Sequence, residues 1–192
     1  MAPVLLAVAH GSRDPAAVTS VRALLRLVRR LRPGLTVRCC FLDLARPSLA
    51  DALPGLADRR PVLVPLVLGT GYHLRVDLPA ALAAAGLPPA HLAPALGPHP
   101  LLAARLGRPV TPAHLSAAAP TPQQAVAGLR RAGHPEVALA AYLLSPGFFA
   151  RRAAAAQATW TTAPLGAHPA VARLVLRRYD EARAASAPPV AA

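Results

Sequence analysis

The sequence predicts an α/β fold: two related halves, each a parallel sheet flanked by helices, the second lacking about one strand–helix unit. Three observations carry this. Short, near-continuous apolar runs alternate with amphipathic stretches of helical period, the pattern of a parallel sheet covered on both faces. The C-terminal part of the chain echoes the N-terminal part. Hydrophobic residues make up 54% of the 192 positions and charged residues 15%, which excludes general disorder.

The elements follow in order. Leu5 to Val8 form an apolar run ending in His10-Gly11-Ser12, a buried strand running into a tight turn. Asp14 and Pro15 open a helix as N-cap and first helical residue. Val18, Val21, Leu24, Leu25 and Val28 recur at helical spacing, and Pro33-Gly34 stops it. Leu35 to Leu42 is a second strand ending near Asp43, and Pro47-Ser48 opens a helix expected to run to about Asp58. Residues 61–68 hold a third apolar run, followed by a Gly69-Thr70-Gly71 loop containing His73. Asp77 and Pro79 read as the next N-cap and first turn.

Residues 108–158 then echo residues 37–85. ARPSLADAL (45–53) lies against AAPTPQQAV (118–126), and VLVPLVLGTGYHLR (62–75) against VALAAYLLSPGFFA (137–150) with a one-residue shift. Frame residues persist, Pro47 with Pro120 and Gly71 with Gly147, but Asp43 falls opposite Ser116 and His73 opposite Phe149. One half keeps ligand-type residues that the other has lost. The strand matching the second is expected over 109–115. Only a Pro-rich stretch and a short helix, Pro100 to Leu106, precede it, so no counterpart of the first strand and helix stands there. Missing a parallel strand exposes ladder groups; re-paired strands or a homodimer are two ways to close the gap. The expected division is 1–90 for an N-terminal half carrying the site, 91–186 for a degenerate C-terminal half with a last helix over 170–184, and 187–192 for a frayed tail.

Charge and cysteine narrow the function classes. The 21 basic residues are all Arg against 8 acidic ones, giving a net charge of +13 that attracts acidic partners. Aromatic residues are only 4% and no run of five Arg occurs, so the stacking platforms of nucleic-acid binding are scarce and nucleic acid is disfavoured. Cys39 and Cys40 are neighbours on a strand and point to opposite faces, which disfavours a disulfide and suits a cytoplasmic protein. No basic segment precedes the first apolar run, so it does not read as a signal peptide. The uncharged stretch from Leu78 contains six Pro by Ala104 and is not a membrane helix.

Ligands of open α/β sheets bind outside the carboxyl ends of the strands. His10, Asp43 and His73 fall at three such ends and therefore on one rim. Two imidazoles and a carboxylate suit a divalent transition metal. Against this, a lone His in a strand–turn often bonds only backbone, and an Asp before a helix is often only a cap. His91, His99 and His134 lie in loops and are expected to be exposed, His114 to be structural, and Trp160 to pack in the core. His168 has no evident role.

Taken together, LLAVAHGSRDP, FLDLARPSLADAL, VLVPLVLGTGYHLRVDLP, AYLLSPGFFARR and PLGAHPAVARLVLRRYDEA resemble the sirohydrochlorin chelatase family, the small class II chelatases, over most of residues 3–182. The resemblance implies a chelatase-type fold of two related halves and insertion of Fe2+ or Co2+ into sirohydrochlorin, in siroheme or cobalamin biosynthesis. It implies that His10 and His73 are catalytic and bind the metal, with Asp43 as a further ligand. Many relatives carry Glu there, one methylene longer. The metal is then substrate, with no permanently bound cofactor. The partner is an acidic tetrapyrrole with eight carboxylates, and Ser12, Arg13, Arg46 and Arg75 near the rim are its expected contacts, since Arg pairs carboxylates bidentately. A non-catalytic tetrapyrrole- or metal-binding protein of the same fold is the alternative.

Overall fold

The computed structural model describes residues 3–69, 71–97, 99, 110–116 and 118–186. Three parallel strands form the larger sheet: β1 (Leu5–Ala9), β2 (Val37–Phe41) and β3 (Val62–Pro65), in the order β2-β1-β3. Leu5 pairs with Val37 on one side and Val62 on the other. All five β1 residues are buried, because both faces of the central strand are covered.

Alternation along β1 divides its side chains between two cores. Leu5, Ala7 and Ala9 pack with Val21, Leu24, Leu25 and Val28 of α1 (Pro15–Leu31) and with Val171, Leu174 and Val175 of the last helix. Val4, Leu6 and Val8 pack on the opposite face with Leu49 and Leu53, around α2 (Leu49–Ala52), and with Leu78 and Leu82 of α3 (Leu78–Ala84). Each fully buried Leu or Val is worth about 1.5–3 kcal/mol relative to exposure, so these two layers hold the sheet. Asp14 caps α1 as its sequence predicts, its carboxylate accepting the Ala16 N–H.

Three expectations change. The helix over residues 47–58 divides into α2 and a 3-10 segment, Pro54–Arg59, because Pro54 has no N–H with which to continue α2. Asp77 does not cap α3: it lies inside a helical run, and its side chain bonds elsewhere. The strand expected over 109–115 is not formed over the described residues 110–115. Residues 110–116 are irregular, and no strand pairs with them among the described residues. The expected helix Pro100 to Leu106 lies outside the described residues.

The remaining elements are α4 (Pro122–Arg131), β4 (Ala138–Leu139), α5 (Phe148–Ala154), β5 (Trp160–Thr161) and α6 (Pro169–Ala185). Only β4 and β5 pair, in parallel, so the second half has two strands among the described residues against three in the first. Its core is small: Val126, Val137 and Ala156. The α6 helix packs instead on the first sheet, where Asp180 takes both guanidinium nitrogens of Arg32 at 2.6 and 2.7 Å and Tyr179 donates to the Pro3 carbonyl. His168 gains a role here: its Nδ1 accepts the Ala170 N–H and caps α6.

Candidate metal centre

The strand order sets the site. His10 leaves the C-terminal end of the central strand, Asp43 follows β2 on one side, and His73 follows β3 on the other. Gly11 turns the chain away at φ +97, where a Cβ would lie 1.7 Å from the Asp43 carbonyl oxygen. Only glycine allows both that backbone conformation and that approach. The Asp43 N–H donates to the His10 carbonyl at 2.9 Å, which continues the ladder past the strand end and fixes the exposed His10 side chain on the rim.

His73 opens a π-helical turn, His73–Asp77, that runs into α3. Its ring meets that of His10 edge-on, with centroids 4.8 Å apart and planes at 82°. Its Nδ1 lies 2.5 Å from Asp77 Oδ2. With Asp77 ionised, Nδ1 carries the proton and donates, leaving Nε2 with its lone pair free to bind a metal; carboxylates behind metal-binding histidines act this way. From the sequence, Asp77 before Leu78-Pro79 reads as a cap. The available signal was the four-residue spacing of His73 and Asp77, which puts the two side chains on one helical face.

The structure thus brings His10 and His73 together. Asp43 stands beside them on the rim, but its carboxylate accepts the Leu44 N–H at 2.7 Å, and it does not make the pair a three-ligand group. Among the described residues, no three His, Cys, Asp or Glu side chains are grouped to hold a metal. Ser12 accepts the Asp14 N–H at 3.0 Å, Arg13 is exposed beside it, and Arg46 bonds Asp51 at 2.7 Å while remaining highly exposed. Arg75 lies exposed on the His73 turn.

The other chemistry-bearing residues separate from the rim. His91 is buried rather than exposed, its Nδ1 2.8 Å from the Pro61 carbonyl. Trp160 is 56% exposed on β5 rather than in the core. His114 and His134 are exposed. Burial pushes the Cys39 thiol up to about 11 and the Cys40 thiol to about 12, so both stay protonated near neutral pH and are poor metal ligands.

An α/β protein with two imidazoles on one sheet rim, one of them held by a carboxylate, has the class features of a metal-handling protein. This chain belongs to the CbiX family, whose model matches residues 4–108 and again, over a shorter stretch, 104–182. It is similar to the sirohydrochlorin cobaltochelatase of Methanosarcina barkeri, 28% identical over 81 residues that span 41% of this chain and 62% of the relative. The protein of that name from Methanococcoides burtonii is 27% identical over the same shares. The chain therefore matches somewhat less than two thirds of the length of these relatives. In fold it is similar to SirB from Bacillus subtilis with Fe3+, at a TM-score of 0.74, 19% identity and 97% coverage of both chains. The sirohydrochlorin chelatase SirB from Bacillus subtilis subspecies spizizenii in complex with cobalt superposes at 0.69, with 19% identity and the same coverage. Among the described residues no helix is long and apolar enough to cross a membrane.

Proposed function

We propose that this chain is a chelatase that inserts Fe2+ or Co2+ into sirohydrochlorin. The observation that carries the reading is the His10–His73 pair, 4.8 Å apart on the rim with Asp77 behind His73. Family membership and the relatives named sirohydrochlorin cobaltochelatase support it.

The chemistry asks for a metal held loosely enough to leave. Two neutral imidazoles on an exposed rim bind a divalent ion weakly and leave most of its coordination sphere to water and the incoming macrocycle, unlike a closed four-ligand cage. Asp77 fixes the tautomer and direction of His73. As M2+ enters the ring, two pyrrole N–H protons must leave, and an imidazole released from the metal is a base of suitable strength. The metal is substrate, and the reaction needs no resident cofactor. In this reading Asp43, one strand across from His10, is the further ligand once its bond to the Leu44 N–H is given up. The net charge of +13 and the rim cations Arg13, Arg46 and Arg75, with the Ser12 hydroxyl, suit a macrocycle with eight carboxylates. In this reading residues 1–90 carry the metal chemistry, residues 91–186 are a degenerate half, and the reaction takes place in the cytoplasm.

The test is anaerobic absorbance of sirohydrochlorin with purified protein and Fe2+ or Co2+. Multiple-turnover acceleration over the protein-free rate supports the reading. Stoichiometric binding without turnover makes the chain a carrier instead.

A further inference from the structure

The first half supplies ligands to the rim; the head of α5, which approaches Ser12 from the second half, is aromatic. Sheet register makes the equivalence concrete. Leu63 of β3 bridges Leu92, and Leu139 of β4 pairs with Thr161 in the same parallel sense. Aligning Leu63 with Leu139 puts Tyr72 opposite Phe148 and His73 opposite Phe149. The position of the metal-binding imidazole in one half is thus a phenyl ring in the other.

The head of α5 is tied to the residues that leave the rim. Gly147 caps α5 at φ +135, and a Cβ there would lie 3.5 Å from the Ser12 hydroxyl, two residues beyond His10. One turn further on, Arg151 bonds the Asp14 carboxylate at 2.9 Å. Asp14 also caps α1, so the bond joins α5 to the element that leaves the rim. Phe148 and Phe149 follow Gly147 directly.

Their exposure is the unusual feature. Of three Phe in the chain, Phe41 is 2% exposed in the core, while Phe148 and Phe149 are 63% and 43% exposed. Their rings meet edge-on at 5.3 Å, forming one apolar surface. Packing needs within the second half do not account for this, since neither belongs to its core.

We infer that Phe148 and Phe149 form the apolar wall against which the conjugated face of the macrocycle rests, opposite the His10–His73 pair. The inference rests on the chelatase reading. The occupant suits the surface: a flat conjugated ring offers an apolar face to the phenyl rings, while its peripheral carboxylates reach the cations around it, including Arg13 and Arg152. The wall contributes binding and orientation of the macrocycle and takes no part in holding the metal.

The experiment measures the Kd for metal-free sirohydrochlorin and, separately, for Co2+ in the wild-type chain, in F148A/F149A and in F148L/F149L. Two aromatic contacts at about 0.5–1.5 kcal/mol each correspond to a loss of about fivefold to a hundredfold in macrocycle affinity for the alanine pair. The leucine pair should lie between it and wild type, and Co2+ affinity should not move. In turnover, KM should rise with kcat within about twofold. Equal macrocycle affinity in wild type and F148A/F149A overturns the wall while the chelatase reading stands, as does a parallel loss of Co2+ affinity. A wild-type chain that binds Co2+ and not the macrocycle overturns both. Because both rings are exposed, the variants should fold; should the alanine pair fail to, unchanged affinity in the leucine pair overturns the wall equally.

Discussion

In the N-terminal half, the Phe41 N–H donates to the Pro47 carbonyl at 2.9 Å, and Ser48 and Asp51 form a capping box at the head of α2. In the C-terminal half, the His114 N–H donates to the Pro120 carbonyl at 2.8 Å, and Thr121 and Gln124 form the same box at the head of α4. The turn is duplicated almost atom for atom, yet the sheets it serves differ. In the first, β1 lies between β2 and β3, with the Val62 N–H donating to the Val4 carbonyl. In the second, the counterparts of the outer strands, Ala113 and Leu115 on one side and Ala138 and Ala140 on the other, line a cavity of about 1280 Å3. The comparison teaches that local turn chemistry outlasts the sheet, whereas the candidate metal site does not: His10 and Gly11 belong to the end of β1, which has no counterpart among the described residues of the second half.

The largest effect expected from this comparison is at the glycines. Gly11→Ala forces a Cβ toward the Asp43 carbonyl at a positive φ, and should cost about 3 kcal/mol or more together with metal binding. Gly147→Ala meets only ordinary contact with Ser12, so backbone strain alone applies, about 1–3 kcal/mol. Denaturant unfolding followed by circular dichroism measures both. Equal losses would mean that the Gly11 turn is no more demanding than its counterpart.

Core truncation sharpens the contrast between the sheets. Leu24→Ala removes a fully buried side chain of the large core and should cost about 2–5 kcal/mol. Val126→Ala in the small second core removes about two methylene equivalents, near 1.5 kcal/mol. Hydrogen exchange should show amides of β4 and β5 opening before those of β1 and β3. The reverse order would contradict the view that the second half leans on the first.

Much of this was legible in the sequence, for physical reasons that differ by residue. The apolar runs of β1, β2 and β3 and the cap–Pro pair at Asp14-Pro15 are local signals, and the structure keeps them. The rim was legible because the strands of a parallel sheet end on one side, which puts His10, Asp43 and His73 on the same rim; that His10 and His73 are neighbours there comes from the strand order β2-β1-β3. Asp77 was misread because an Asp before a helix signals a cap equally well, and only the π-helical turn reveals that it serves His73. His91 was misread because loop composition does not disclose that the chain after α3 packs against β3. The strand expected at 109–115 was misread because strands need neighbours, and among the described residues none pairs with 110–115.

The smallest effects concern the duplicated caps. Ser48→Ala and Thr121→Ala should each cost about 1 kcal/mol. Hydrogen bonds from the Ser48 backbone and hydroxyl, then from Arg46, hold the Asp51 carboxyl down to about 2. A depressed carboxyl stabilises the fold above its ordinary value of 3.8, and that contribution is lost as pH falls through about 2. Ser48→Ala should therefore move the Asp51 midpoint upward in an NMR titration. An unmoved midpoint would show that the box does not hold the carboxylate in solution.

The central claim is that the metal chemistry belongs to the His10–His73 pair of the first half. It is tested most directly by anaerobic Co2+ insertion into sirohydrochlorin with H10A/H73A, set beside H114A/H134A, which removes two exposed histidines of the second half. The account predicts insertion at the protein-free rate, with loss of the Co2+ ligand-field bands, for the first variant, and wild-type behaviour for the second. Wild-type insertion by H10A/H73A, or its loss in H114A/H134A, would contradict it.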